Sequence, residues 1–296
     1  MTADRKKVLV LGGRGRLGRL LFRVWGAVGT SSFPVIWHSR RSPIDDSGDW
    51  VAWDLLKQGP PTCLKGGINT VLNLVGVVPG GKQDLSLNRE LALAATEAAR
   101  VLGARHIFHL SSAAVYGDGK FGWHEGVELY PVSEYGRAKL DMERAILSLT
   151  SSANPSEPRQ VLLRLGNVVG ADQLIGGAVA RGAESLVQLD QFPDGLGPVR
   201  SYIGPVTLAD VLQVLLQRAS CVPGLPPILN VAAPVPVSMD SLLDASGAAW
   251  RWRCAGEEAI QYLRIDVSVL SGLFSFLPRH CQPDQMVREW KRLSDA

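Results

Sequence analysis

The sequence predicts an α/β protein, a doubly wound parallel sheet completed by a smaller C-terminal lobe. Three observations point there. Strand-like and helix-like segments alternate through the first two-thirds of the chain, the pattern of strands joined by crossover helices. The first strand, Val8 to Leu11, is apolar at every position, as a strand covered on both faces must be. A glycine-spaced turn, Gly12, Gly15 and Gly18, then leads directly into an amphipathic helix.

In that helix Leu17, Leu20, Leu21, Val24 and Trp25 recur at helical spacing, while Arg16, Arg19 and Arg23 take the opposite face. Residues 33–37 read as a second strand, 50–53 as a short third and 70–75 as a fourth. Leu91, Ala94, Ala95, Ala98, Val101 and Leu102 mark the next helix, with Gly103 placed to end it. Strand 106–110 follows. Pro131 and Ser133 then announce a helix whose apolar face runs Ala138, Met142, Ile146, Leu149. The Ser- and Pro-rich stretch 150–158 reads as loop, and 160–165 returns to strand. Thr207, with Asp210 three residues on, opens a helix carrying Leu208, Val211, Leu212, Leu215 and Leu216. Residues 228–231 are strand-like, 250–253 alternate Trp and Arg as on a half-buried strand, and Pro283 starts a final helix. The sheet domain is expected to take residues 1–170, joined by about 203–234. The lobe is expected to take 171–202 and 235–296.

At 296 residues the chain can bury one large core with an appended lobe. Its net charge of +3, with Lys and Arg scattered, leaves no nucleic-acid footprint. Cys63, Cys221, Cys254 and Cys281 lie far apart with no C-x-x-C pair, which predicts neither a metal site nor a disulfide framework. Residues 1–7 reach the first strand without a long apolar stretch, and the central run Val71 to Val78 is too short to span a bilayer. The expectation is a cytoplasmic protein with no membrane partner.

The turn Gly12-Gly13-Arg14-Gly15-Arg16-Leu17-Gly18 is spaced G-x-x-G-x-x-G. Unpaired N–H groups and the dipole at a helix N-terminus attract a diphosphate, provided side chains are missing where it comes closest. This predicts a Rossmann-type dinucleotide site in which Gly12, Gly15 and Gly18, with Arg14, Arg16 and Leu17, meet the cofactor. Where an NAD site would place an acid for the ribose hydroxyls, the second strand ends in His38-Ser39-Arg40-Arg41. Hydroxyl and guanidinium groups hold a 2′-phosphate that an acid would repel. Ser39, Arg40 and Arg41, with Arg14 closing from the turn, therefore predict NADP, with NAD as the alternative.

Tyr135 and Lys139 are spaced Y-x-x-x-K on a predicted helix and so share one face. A hydride moving to or from a carbon that bears oxygen requires a proton to move as well. A neighbouring ammonium favours the phenolate and is expected to lower the phenol's pKa. Ser112, at the carboxyl end of strand 106–110, is placed to hold the substrate oxygen beside Tyr135.

With these residues together, the chain resembles an extended short-chain dehydrogenase/reductase of the NAD(P)-dependent sugar-nucleotide epimerase/dehydratase type. The resemblance covers residues 1–170 well. It is carried, in the family's order, by the glycine turn, Asp54-Leu55, Asn73-Leu74-Val75-Gly76, Ser112-x-x-x-Tyr116-Gly117 and Tyr135-x-x-x-Lys139. It implies that Asp54 and Leu55 contact adenine and that Val75 and Gly76 line the cofactor. It also implies that Ser112, Tyr135 and Lys139 form the catalytic set, with Asn88 supporting them. Residues 165–170 are similar to the family segment whose Asn touches a nucleotide-sugar diphosphate, here Asn167, and Arg200 falls in a likeness of its arginine-bearing substrate segment. Ser112, Tyr116, Asn167 and Arg200 are thereby implied on the substrate side. Dehydratases of this family carry Asp-Glu after the catalytic hydroxyl. Ala113-Ala114 stand here, so elimination is not expected.

Three readings remain open. One is an oxidoreductase or epimerase acting on a sugar carbon, nucleotide-linked, with Tyr135 as acid/base. The second is an NADP-dependent reductase of a small non-nucleotide carbonyl. The third is a non-catalytic NADP-sensing protein. A homodimer is the assembly entertained. His106 and His109 are expected to be buried and satisfied, and His124 and Glu125 to be surface loop.

Overall fold

A strand that is apolar on both sides, as β1 (Lys7–Leu11) is, needs cover on both, and it lies inside a seven-stranded sheet. The other strands are β2 (Val35–Ser39), β3 (Asp49–Ala52), β4 (Ile68–Asn73), β5 (His106–Ser112), β6 (Arg159–Leu165) and β7 (Ile228–Val231). The fold is that of a computed structural model, which describes residues 7–27, 31–41, 48–80, 84–149, 157–177, 186–221 and 224–294. The spatial order is β3-β2-β1-β4-β5-β6-β7, with every pairing parallel. Strand order reverses between β1 and β4, so their carboxyl ends open a crevice.

Alternation along each strand divides the core. Val8 and Val10 point to one face, where they meet Leu20, Leu21, Val24 and Trp25. Those residues belong to α1 (Arg16–Phe22) and the wider π turn Arg23–Ala27 that continues it. Leu9 and Leu11 point to the other face, onto Ala95, Ala98, Ala99 and Leu102 of α2 (Leu87–Leu102). Helix α3 (Glu134–Leu149) packs beside α2, and α4 (Pro205–Cys221) beside α1. Each fully buried aliphatic side chain contributes roughly 1.5–3 kcal/mol.

Two boundaries differ from expectation for local reasons. Strand β2 begins two residues later than expected because Pro34 has no N–H to donate and Ser31 Oγ turns back to the Phe33 carbonyl at 2.6 Å. Helix α4 begins at Pro205, not Thr207, and no Thr207–Asp210 box caps it. The cap comes from across the chain. Beyond α5 (Met239–Ser246), helix α6 (Pro283–Ser294) carries Glu289. Val206 and Thr207 N–H groups each donate to Glu289 Oε2 at 3.0 Å, and Thr207 Oγ donates to Oε1 at 2.7 Å. A carboxylate at the positive end of a helix is favoured by the dipole as well as by the bonds.

The lobe is built on a small sheet in which Val237–Ser238, Val199–Arg200, Tyr262–Ile265 and Gly119–Trp123 lie side by side. Strand Gly119–Trp123 crosses the expected domain boundary, since it joins this sheet from within the first 170 residues. Trp250–Cys254 pairs with Val187–Gln191, its Trp residues half-buried and its Arg residues exposed. Most of the expected loop 150–158 lies outside the described residues. Among the described residues no helix is long and apolar enough to cross a membrane.

Replacing Glu289 with Ala removes three bonds to one buried carboxylate. It should lower the unfolding free energy by about 2 kcal/mol. The urea midpoint should drop at unchanged slope, and an unmoved midpoint would show that the cap contributes nothing.

Candidate active site

The turn after β1 is shaped by what its glycines lack. Gly12 takes φ of 83°, and a Cβ at Gly18 would come within 2.6 Å of the Gly13 carbonyl oxygen. The head of α1 therefore sits directly on the turn. Gly12 N–H donates to His38 Nδ1 at 3.3 Å, Gly13 N–H to the His38 carbonyl at 2.9 Å, and His38 Nε2 faces the Trp53 carbonyl at 3.0 Å. A neutral imidazole protonated at Nε2 satisfies both ring contacts. Burial lowers the His38 pKa in the same sense, against the Trp53 bond and the Asp54 charge.

From this turn a groove follows the carboxyl edge of the sheet as three joined cavities. The first, about 570 Å³, is walled by Gly12, Arg14, Gly15, Ser39, Arg40, Asp54, Leu55, Val75 and Gly76. The second, about 290 Å³, shares Gly15, Val75 and Gly76 with the first and reaches Arg16, Leu17, Gly18, Tyr135 and Lys139. The third, about 370 Å³, shares Arg16, Leu17 and Tyr135 with the second and continues past Ser112 to Asn167 and Arg200. Cavities of a few hundred Å³ suit ligands of small-molecule size, and a chain of three suits an extended ligand plus a second one. A dinucleotide fits the first two. The glycine cradle would be filled by a Cβ, a guanidinium pair stands at the adenosine-sized end, and the carboxyl-edge position is where open α/β sheets take such ligands.

Ser112, Tyr135 and Lys139 meet at the junction of the last two cavities. Ser133 Oγ accepts from Gly136 N at 3.0 Å and so starts α3. A side chain at Gly136 would collide with the Ala114 carbonyl and lie 2.9 Å from Pro131 Cβ. Its absence lets α3 rest on the turn after β5, and Tyr135 and Ser112 hydrogen-bond. Lys139, one turn on and 4% exposed, donates to the Leu110 carbonyl at 2.9 Å. Burial lowers its pKa to about 8, with Glu143 opposing. The expected lowering of the Tyr135 pKa is not found. Burial raises it, and only the Ser112 bond acts against that. The reason is geometric, since Nζ stands 6.0 Å from the phenol ring centroid and is turned to the backbone.

On the far wall, Arg200 donates to the carbonyls of Val199 and Gln261 at 2.9 Å and of Ile260 at 2.6 Å. Among the described residues it makes no ion pair, and burial works against its charge. Asn167 is hydrogen-bonded to Tyr202, whose Oη donates to Asp172 Oδ2 at 3.0 Å. Asp172 and Tyr202 also line this cavity and escaped the sequence reading. Nearness in sequence was the only signal, Tyr202 to Arg200 and Asp172 to the 165–170 segment.

Four expectations are corrected by packing. Tyr116 is 1% exposed and faces the core, with its Oη donating to Asn230 Oδ1 at 2.7 Å, so it does not reach the third cavity. Asn88 is buried behind the groove. Its amide binds Val77 N and O at 3.1 and 2.9 Å and shapes the loop 75–78 without lining the cavity itself. Arg41 is exposed and outside the lining, its carbonyl taking the Ser39 hydroxyl. Glu125 is half-buried, not surface loop, and accepts from Asn230 N at 2.9 Å.

Comparison with known proteins bears on this geometry directly. The model of the NAD dependent epimerase/dehydratase family matches residues 8–202. The chain belongs to that family. A dTDP-6-deoxy-L-talose 4-dehydrogenase (NAD(P)(+)) of Kitasatospora kifunensis is 29% identical over 319 residues, covering 98% of this chain and 96% of its own. Among solved structures, the UDP-glucose 4-epimerase of Brucella ovis in complex with NAD superposes with a TM-score of 0.78 at 20% identity, covering 96% of this chain and 97% of its own. An NAD-dependent NDP-hexosamine 5,6-dehydratase of tunicamycin biosynthesis does so with a TM-score of 0.78 at 16% identity, covering 98% of each chain.

In this family member the loop that walls the first two cavities hangs on a buried polar chain. Asn73 Oδ1 accepts from Val75 N at 3.0 Å, and its Nδ2 lies 3.1 Å from His109 Nδ1. His109 Nε2 lies 2.9 Å from Gln160 Oε1, so the imidazole is neutral and satisfied as expected. Burial, chiefly, lowers its pKa from 6.5 to about 4. Between those values the unfolded chain binds the proton and the folded one does not. Stability therefore falls as pH drops through that window and is untouched above it. At about 1.4 kcal/mol per unit the loss approaches roughly 3 kcal/mol. Urea midpoints at neutral pH and near the lower value, for wild type and His109→Gln, should show the acid loss shrinking in the variant. Equal losses would exonerate His109.

Proposed function

We propose that the chain is an NAD(P)-dependent oxidoreductase or epimerase that moves a hydride to or from a carbon of a nucleotide-linked sugar. One observation carries the reading: Tyr135, bonded to Ser112, is the shared wall of the cavity above the glycine turn and the cavity leading to Asn167 and Arg200. When bound, the nicotinamide supplies or accepts the hydride. Ser112 Oγ holds the substrate oxygen, and Tyr135 Oη passes the proton to or from that oxygen. Its raised pKa keeps it protonated at neutral pH, poised as the acid in the reducing direction. Lys139 brings a cation to the same junction from a buried position.

Arg200 supports a phosphorylated substrate, because a guanidinium buried with only carbonyl partners gains most from an anion. The dTDP-sugar dehydrogenase relative and the UDP-sugar epimerase fold relative agree in chemical class. Ala113 and Ala114 line the third cavity where the family's dehydratases carry Asp-Glu after the catalytic hydroxyl, and this supports oxidoreduction over elimination. Intact Ser112, Tyr135 and Lys139 weigh against a purely sensing role.

The Tyr135→Phe variant should lose at least about a hundredfold in turnover of UDP- or dTDP-sugars while binding cofactor as before. Undiminished turnover would remove Tyr135 from the chemistry. For the cofactor, NADP is the preferred form on the strength of Arg14 and Arg40 at the adenosine end. Arg14→Ala/Arg40→Ala should weaken NADP by about tenfold or more relative to NAD in fluorescence titrations of the reduced forms. Equal weakening would leave NAD as the natural partner.

A further inference from the structure

Behind the groove lies a charge pair that does not itself line it. Glu143, one turn beyond Lys139 on α3, and Arg164 on β6 have side-chain exposures of 0% and 3%. Arg164 Nη2 donates to Glu143 Oε2 at 2.8 Å, and its Nε lies 3.1 and 3.2 Å from the two carboxylate oxygens. Ser111 Oγ adds a bond to Oε1 at 2.5 Å, linking the carboxylate to the strand end that carries Ser112. Arg164 Nη1 continues to Tyr116 Oη at 2.9 Å and the Glu125 carbonyl at 3.0 Å.

Lys139, four residues before Glu143 on the same helix face and bonded to the Leu110 carbonyl, feels that carboxylate's charge, so two buried cations share one buried anion. Other charged or titratable groups face Lys139 without replacing it. Tyr135 shares its helix and keeps its proton, and His109 on β5 is neutral. Between α2 and α3, the Arg89–Asp141 pair at 3.9 Å is more than half exposed and screened by water. A guanidinium does not release its proton in a protein, so if the carboxylate goes, the lysine must yield. Its proton is already held loosely, with a pKa lowered to about 8 by burial and supported by Glu143.

We propose that Glu143 is a positioning residue of the proton-transfer site: clamped by Arg164 and Ser111, it keeps Lys139 cationic beside Tyr135 at neutral pH. The role in catalysis rests on the function proposed above, but the charge relation itself does not.

The test follows the Lys139 titration in the full chain without cofactor, by NMR of protein labelled at the lysine ε-carbon, with the signal assigned from Lys139→Arg. Glu143→Gln should move the midpoint down by about one pH unit or more, Arg164→Met should move it up, and the double variant should bring it back. The double variant also guards against misfolding, since removing both members of the pair leaves neither Glu143 nor Arg164 as an unpaired buried charge. Opposite shifts that cancel are not what a merely structural role would give. An unmoved midpoint in both single variants, or a double variant no different from Glu143→Gln, overturns the inference. In turnover assays at pH 8, Glu143→Gln should fall about fivefold for a shift of one unit, and the double variant should recover. If the titrations move as expected but wild type turns over no nucleotide sugar, the functional reading fails and the charge relation stands. Full turnover with unmoved titrations sinks the charge relation alone.

Discussion

Helix α3 rests on the short turn after β5 with backbone against backbone, at the one residue, Gly136, that has no side chain to hold them apart. Most of the candidate site inherits its geometry from that contact. Tyr135 precedes the glycine and Lys139 follows it by three residues, while Ser112 precedes the turn. A methyl group at position 136 would have to displace either helix or turn, at a cost of about 1–3 kcal/mol, and would part the phenol from the hydroxyl. Groups that must act within hydrogen-bond reach are best fixed on rigid elements, and here a helix and a strand end supply both sides.

Burial rather than pairing governs the electrostatics around this contact. It raises the Tyr135 pKa, lowers that of Lys139 and works against the charge of Arg200. Each group is thus held in water-poor surroundings with fewer counter-charges than it could use. That is the condition in which an incoming ligand's charge and hydrogen bonds count most. The Arg164–Glu143 pair is the contrasting case, fully bonded and shut away from the groove.

The two ends of the chain's tertiary organisation meet at α4. Its apolar face, Leu208 to Leu216, joins the core over α1, while its first turn is capped by Glu289 from the terminal helix. The lobe is therefore tied to the sheet domain at its far end. On the near side, strand Gly119–Trp123 passes into the lobe sheet and Asn230 of β7 donates to the Trp123 carbonyl at 2.8 Å.

Periodicity and turn chemistry were enough to read the parallel sheet, the glycine turn and the Ser112–Tyr135–Lys139 set. Those signals are local: alternation within a strand, a repeat within a helix, a residue that only a tight turn requires. What lay beyond the sequence was every relation between residues distant in the chain. The family resemblance puts Tyr116 on the substrate side, yet Arg164 and Asn230, far along the chain, draw its hydroxyl inward. Thr207 looked like a cap because the sequence alone cannot see Glu289 arriving from α6. The direction of the Tyr135 pKa likewise depended on where Lys139 pointed and how deeply both were buried, and these are decided only when the chain packs.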